Sequence, residues 1–237
     1  MLKNILENFR KEIGKLKNPA KAKMLARFFK TGKGEYGEGD KFLGIMVPLQ
    51  RELVKKYWQK MEISEILKLL QSPYHEERLI ALLLLVKKFE AGNEKEKAEI
   101  FKVYLQNTKS INNWDLVDLT APRIVGVYLE KKERKILYQL AHSKDLWEKR
   151  IAVLATFRFI KNKDAKEALK ISEILLRDEH DLIHKAVGWM LREVGKRCGE
   201  EVEEKFLQKY SKTMPRTMLR YAIEKFPEKK RKKYLEK

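Results

Sequence analysis

Cys198 is the single cysteine among 237 residues. One thiol forms no internal disulfide and builds no cysteine-based zinc cluster. Glycine and proline are scarce as well, with 11 and 6 residues. That is about 7% of the chain against an ordinary share of roughly 12%, too few for the many turns of a β-sandwich or barrel. No stretch alternates apolar and polar residues with the period of a half-buried strand. The longest unbroken aliphatic run, 79–86 (LIALLLLV), falls far short of the ~20 residues that span a bilayer. The first fifteen residues, MLKNILENFRKEIGK, break their apolar positions with charge every few residues, unlike the apolar core of a secretory signal. What remains is the expectation of a soluble, cytoplasmic, all-α protein. A hydrophobic content of 43% is too high for a disordered chain.

Acidic residues are outnumbered, 34 to 53 lysines and arginines, which leaves a formal net charge of +19. Charge of this size speaks to partners rather than to fold. Gathered on one face it attracts a polyanion, and nucleic acid is the favoured reading. An anionic membrane is the competitor, for which the segment 225–237 (KFPEKKRKKYLEK) offers a basic helix. That segment is better read as a solvated terminal helix, so no membrane partner is expected.

Apolar residues recur at helical spacing nearly throughout, giving about fourteen helices joined by short turns. Ser72-Pro73 supplies a cap followed by a proline, Asn113, Ser143 and Asp181 stand ahead of later helices, and Pro215 opens another. The helices pair, and one member of each pair looks alike: EERLIALLLLV, WDLVDLTAPRIV, EKRIAVLATFRF, IHKAVGWMLREV and MPRTMLRYAIEKF. Taking Arg78, Asp118, Arg150, Lys185 and Arg216 as landmarks, the steps are 40, 32, 35 and 31 residues. Periods of this order belong to helical-hairpin repeats, which stack into a solenoid because one hairpin cannot bury its own apolar face. The expected architecture is one α-solenoid domain over 1–237 with a basic concave groove. The segment 31–46 (TGKGEYGEGDKFLGIM) interrupts it and holds five of the glycines. A loop of that length is expected to be functional or mobile.

Two apparent motifs are set aside. Gly32-Lys-Gly34-Glu-Tyr-Gly37 matches GxGxxG, but it follows a helix, opens none, and carries Glu35 and Glu38 where a phosphate would sit. His180 and His184 stand one helical turn apart without a third ligand, so no metal site is expected. No catalytic triad and no cofactor motif is found. The tryptophans say more. Trp114 precedes Asp118 by four residues, while Trp147 and Trp189 precede Arg150 and Arg192 by three, so each indole shares a helical face with a charge. Trp147, at a helix start, is expected to pack inward. Asp118 is the anomaly, a carboxylate where the other repeats carry Arg78, Arg150, Lys185 or Arg216. Such a residue is either neutralised by its basic neighbours or kept for chemistry. A carboxylate beside a deoxyribose can stabilise the cation that develops as a base departs, or orient water toward it.

The strings INNWDLVD (111–118), LWEKRIA (146–152) and HKAVGWMLREVGK (184–196), with MLARFFK (24–30) and FLGIMVP (42–48) upstream, resemble the AlkD-type DNA alkylation repair glycosylases. The resemblance implies a HEAT-like solenoid whose groove takes duplex DNA and releases cationic N3- and N7-alkylated purines without a cofactor. It implies Asp118 as the catalytic carboxylate, Trp114 and Trp189 flanking the lesion's sugar and backbone, and Arg150 and Arg192 holding phosphates. Lys185 is a further candidate DNA contact. Phe28 stands where active relatives carry a tyrosine, so a hydrogen bond from that hydroxyl is lost. The expected protein is a monomeric, cytoplasmic DNA-alkylpurine N-glycosylase that hydrolyses the N-glycosidic bond. The alternative is a non-catalytic binder of damaged, bent or branched DNA on the same scaffold.

Overall fold

The computed structural model describes residues 5–236. Met1–Asn4 of the N-terminal segment read above, and the last lysine of the C-terminal one, lie outside it. Among the described residues the regular structure is helical, and the only β-type pairing is an isolated bridge between Lys41 and Tyr74. The chain divides into two compact units, Met1–Leu116 and Val117–Lys237.

The first unit runs α1 (Ile5–Lys15), α2 (Pro19–Phe28), α3 (Val47–Tyr57), α4 (Ile63–Leu70), α5 (His75–Ala91) and α6 (Glu94–Gln106), then a 3₁₀ turn at Thr108–Ser110. Helix α5 is its axis. The aliphatic run 79–86 lies on it and is buried all round, as expected of a helix apolar on every side. Helices α3, α4 and α6 pack against it. Phe9 of α1 meets Tyr57 of α3 edge to face at 5.2 Å, and the Tyr57 hydroxyl donates to Glu12 at 2.8 Å. Helix α2 differs. Asn18 caps it, its Oδ1 accepting from the Lys21 amide at 3.0 Å, and Pro19 opens it, yet it buries none of its side chains. The helix start expected at Ser72-Pro73 falls slightly later. Ser72 Oγ accepts from the Tyr74 amide at 3.1 Å, and α5 begins at His75.

The unit boundary falls inside the short helix α7 (Trp114–Asp118). The second unit continues through a π-helical turn at Pro122–Gly126, then α8 (Lys135–Ala141), α9 (Leu146–Ala155), α10 (Phe157–Lys161) and α11 (Lys166–Ile174). It ends with α12 (Asp181–Cys198), α13 (Glu200–Tyr210), α14 (Arg216–Ala222), a 3₁₀ turn and α15 (Glu228–Leu235). Helix α12 is the hub here, packed against α9, α10, α11, α13 and α14. A β-carbon at Gly188 would overlap the Met218 carbonyl oxygen, so glycine is what lets α14 approach so closely. Helix α15 is the solvated terminal helix expected, anchored through buried Tyr234 near the ring of Phe226. The landmarks Arg78, Asp118, Arg150, Lys185 and Arg216 each fall within the first five residues of α5, α7, α9, α12 and α14. That is the regularity of an α-helical repeat fold. None of the described helices is long and apolar enough to cross a membrane.

Candidate active site

Asp118 ends α7 in the second unit. Arg150 reaches it from α9, whose start is fixed by Asp145: its Oδ1 accepts from the amides of Trp147 at 2.7 Å and Glu148 at 3.1 Å. Trp147 turns inward and is buried, as expected. Arg150 Nε donates to Asp118 Oδ1 at 2.8 Å and Nη2 to Oδ2 at 2.7 Å, while Nη1 donates to the Leu182 carbonyl oxygen of α12 at 2.6 Å. One guanidinium thus ties three successive repeats together. The fork geometry is the strong form of a charge-assisted pair, and it fixes both carboxylate oxygens. The Asp118 side chain keeps 14% of its surface open, against 6% for Arg150. The resemblance implies Arg150 as a phosphate contact; Nε, Nη1 and Nη2 each donate to a protein acceptor. The π-helical turn follows Asp118 after three residues, and such turns recur at functional sites.

The other candidates of this unit lie on α12. Trp189 is half-buried, its ring 6.0 Å from that of Phe157. Arg192 is paired with Glu224, and Lys185 with Asp181 at 2.7 Å. The histidines of the discarded metal pair are structural. His180 caps α12, its Nδ1 accepting from the Leu182 amide at 3.1 Å, and burial depresses its pKa. His184 bonds the Asp178 carbonyl. The described residues contain no cluster of three or more metal-ligating side chains.

In the first unit Trp114 belongs to a cluster of rings. It stacks on Phe29 at 5.3 Å and meets Phe28 edge to face at 6.0 Å. Phe29 stacks in turn on Phe42. Phe28 is 62% exposed, an unusual place for a phenyl ring. Behind the rings lies an ionic network. Buried His75 is bonded through Nδ1 to Asp40 at 3.1 Å and through Nε2 to Asp115 at 2.9 Å. Arg78 Nη2 donates to Asp40 at 2.6 Å and its Nη1 to the Ser72 carbonyl at 2.9 Å. Burial alone would lower the His75 pKa; Asp115 and Asp40 outweigh it and push it up to about 9. Burial would likewise raise the Asp40 carboxyl, but His75 and Arg78 hold it below its ordinary value.

The glycine-rich segment is fastened at Asp40 and at residues 43–45. Asp40 enters that network, and the Glu76 carboxylate accepts from the amides of Leu43 at 2.9 Å, Gly44 at 2.8 Å and Ile45 at 3.2 Å. Gly44 has φ +82, and a β-carbon there would overlap the Asn18 carbonyl, so only glycine fits. The amides that could have cradled a phosphate are occupied. Gly32 N–H donates to Glu35 and Gly34 N–H to Glu38, both at 2.8 Å. Arg78, the cation that its repeat carries at the position of Asp118, is buried and engaged with Asp40.

A family model described as DNA alkylation repair enzyme matches residues 9–226. The chain belongs to the DNA alkylation repair enzyme family. A solved structure of a predicted DNA alkylation repair enzyme from Enterococcus faecalis resembles it with a TM-score of 0.69. That match is 17% identical and covers 90% of this chain and 97% of that one. At such identity the likeness shows the shared all-helical fold. No curated protein matches the chain. Membership implies DNA as the substrate of this DNA alkylation repair family protein.

Sequence reasoning missed the Asp40–His75–Asp115 network altogether. Its members lie 35 and 40 residues apart in this DNA alkylation repair family chain, and no helical periodicity links them. A signal did exist: the only aspartate of the glycine-rich segment, and a second aspartate in WDLVD.

Proposed function

We infer that this protein is a DNA glycosylase that hydrolyses the N-glycosidic bond of cationic N3- and N7-alkylated purines in duplex DNA. The observation that carries the reading is the Asp118 carboxylate, gripped at both oxygens by Arg150 yet still open to solvent. In water a flexible carboxylate must reorient as charge develops; one already held in place stabilises a growing cation without that reorganisation. An alkylated purine is positively charged, so it leaves as a neutral base and needs no general acid. The C1′–N bond breaks, its electron pair goes to the purine, and positive charge develops at C1′ beside Asp118. Water then adds to C1′ and gives up a proton to bulk solvent. Trp189, Arg192 and Lys185 of α12 are the DNA contacts of the second unit, and Trp114 with Phe28 those of the first. The net charge of +19 favours a basic groove for the duplex.

The same fork geometry favours a second reading, in which Asp118 is a structural ion pair and the protein binds DNA without turnover. The decisive experiment incubates the protein with methylated duplex and measures free 7-methylguanine and 3-methyladenine. Release of both, with hypoxanthine and uracil left in place, is expected, because an open groove gives little help to a neutral leaving group. Binding without release of any base selects the second reading.

A further inference from the structure

Behind exposed Phe28 and half-buried Trp114 of the first unit sits a charged group that the proposed chemistry does not use. The His75 side chain is 2% exposed, and it stands between two carboxylates on different elements. Asp40 comes from the glycine-rich segment and Asp115 from α7. With both ring nitrogens facing carboxylate oxygens, both carry hydrogens and the ring is an imidazolium. Two aromatic rings lie against it as well. Phe42 stacks on it at 4.8 Å, and Phe29 lies tilted at 4.7 Å. Phe29 is also the ring on which Trp114 stacks. The charged groups near it include Asp40, Asp115 and, on its own helix, Arg78. Next to it in sequence, the buried Glu76 carboxylate is held by the amides of residues 43–45. Asn112 and Asn113, which adjoin Trp114, each donate to Asp40 at 3.4 Å.

We propose that His75 is a positioning residue, an imidazolium clamp between Asp40 and Asp115 that sets the Phe29–Trp114 stack and so presents the Trp114 indole to DNA at a fixed place. Its contribution to DNA repair rests on the function proposed above; the clamp itself does not. Two features distinguish it from packing alone. The clamp exists only while the ring is charged, and it joins the segment before α3 to the helix that bears Trp114. A neutral imidazole carries one N–H and can donate to one carboxylate only. The other would then face a nitrogen lone pair in a buried site, where the repulsion is poorly screened. The sign follows. Both carboxylates raise the folded-state pKa, so the clamp is intact at neutral pH and is lost as pH rises through about 9.

The test reads Trp114 directly. The protein has four tryptophans, so fluorotryptophan labelling gives four NMR signals, and Trp114→Phe identifies the one that matters. In the wild type the Trp114 signal should move with a midpoint near pH 9; in His75→Gln that transition should vanish. Excision by His75→Gln at pH 7.5 should slow by about tenfold in turnover with duplex affinity within about twofold, the split expected of a misplaced group. A Trp114 signal and a turnover indistinguishable from wild type would overturn the proposal. Should His75→Gln fail to fold, Asp40→Asn decides. It keeps the imidazole but removes one carboxylate, so the midpoint must fall below its wild-type position, and an unmoved midpoint overturns the clamp. If the wild type excises no base at all, the glycosylase reading falls while the NMR titration still decides the role of His75.

Discussion

Asp118→Asn separates a catalytic carboxylate from a structural one, and the structure sets the expected size of each effect. Asparagine keeps one carbonyl oxygen for Arg150 but turns an NH₂ toward the other guanidinium donor, so one of the two parallel bonds becomes a donor–donor contact. Removing one partner of a buried pair costs about 3–5 kcal/mol. Arg150 retains the Leu182 carbonyl, and Asp118 keeps some solvent contact, so the lower end applies. About 3 kcal/mol in a chain of this length lowers Tm by roughly 6–12 °C, which leaves the variant folded at 25 °C if the parent has ordinary stability. The chemistry should suffer far more. Loss of one preorganised electrostatic group from a transition state costs about 10²–10³ in rate. Single-turnover release of 7-methylguanine at 25 °C, with enzyme in excess, measures that step alone. Affinity for an undamaged duplex, followed in parallel by anisotropy, should stay equal or tighten, because a negative charge has left the surface proposed to meet DNA. Excision within threefold of wild type would refute the catalytic role. So would loss of binding in step with loss of rate, for that is the behaviour of a general folding defect.

Duplex affinity should fall steeply with salt. If about 6 phosphates are neutralised, log K against log salt has a slope near −5, and a flat dependence in a salt series would remove the nucleic-acid reading. Trp114→Ala and Trp189→Ala should each slow base release more than they weaken binding, as comparison of single-turnover rates with Kd would show. Glu203, buried with no partner for Oε1, has its pKa pushed up to about 8 by burial and by Glu200. An acid whose folded-state pKa is raised destabilises the fold as pH climbs from its unfolded value through 8. Glu203→Gln should therefore raise Tm at pH 8.5 by more than at pH 5, and equal shifts in two melting curves would contradict the assignment.

Helices were readable because apolar spacing is a local property. The run 79–86 announced the buried axis α5, and the near-constant step between Arg78, Asp118, Arg150, Lys185 and Arg216 announced the repeat. The anomaly of Asp118 was legible too, since a carboxylate in a column of cations must be neutralised or used, and Arg150 one repeat later is the group that meets it. The glycine-rich segment could be read only as functional or mobile. Length and glycine content suggest motion, whereas its order comes from Asp40 and Glu76, whose partners lie more than thirty residues away or are backbone amides with no sequence signature. Helix α2 shows the converse. Its cap, its opening proline and its spacing are all present in the sequence, but nothing there said that it would bury no side chain.

Surface loops ordinarily accept insertions and deletions with little cost, and the segment 31–46 should be an exception. It is registered at two points along its length, at Asp40 by His75 and Arg78, and at residues 43–45 by the Glu76 carboxylate. Adding or removing a single residue between those points would leave at least one buried charge facing the wrong atoms. The spacing from 40 to 45 and the identities at 75, 76 and 78 are thus one physical unit. A change of length between residues 40 and 45 would require new side chains at 75, 76 or 78.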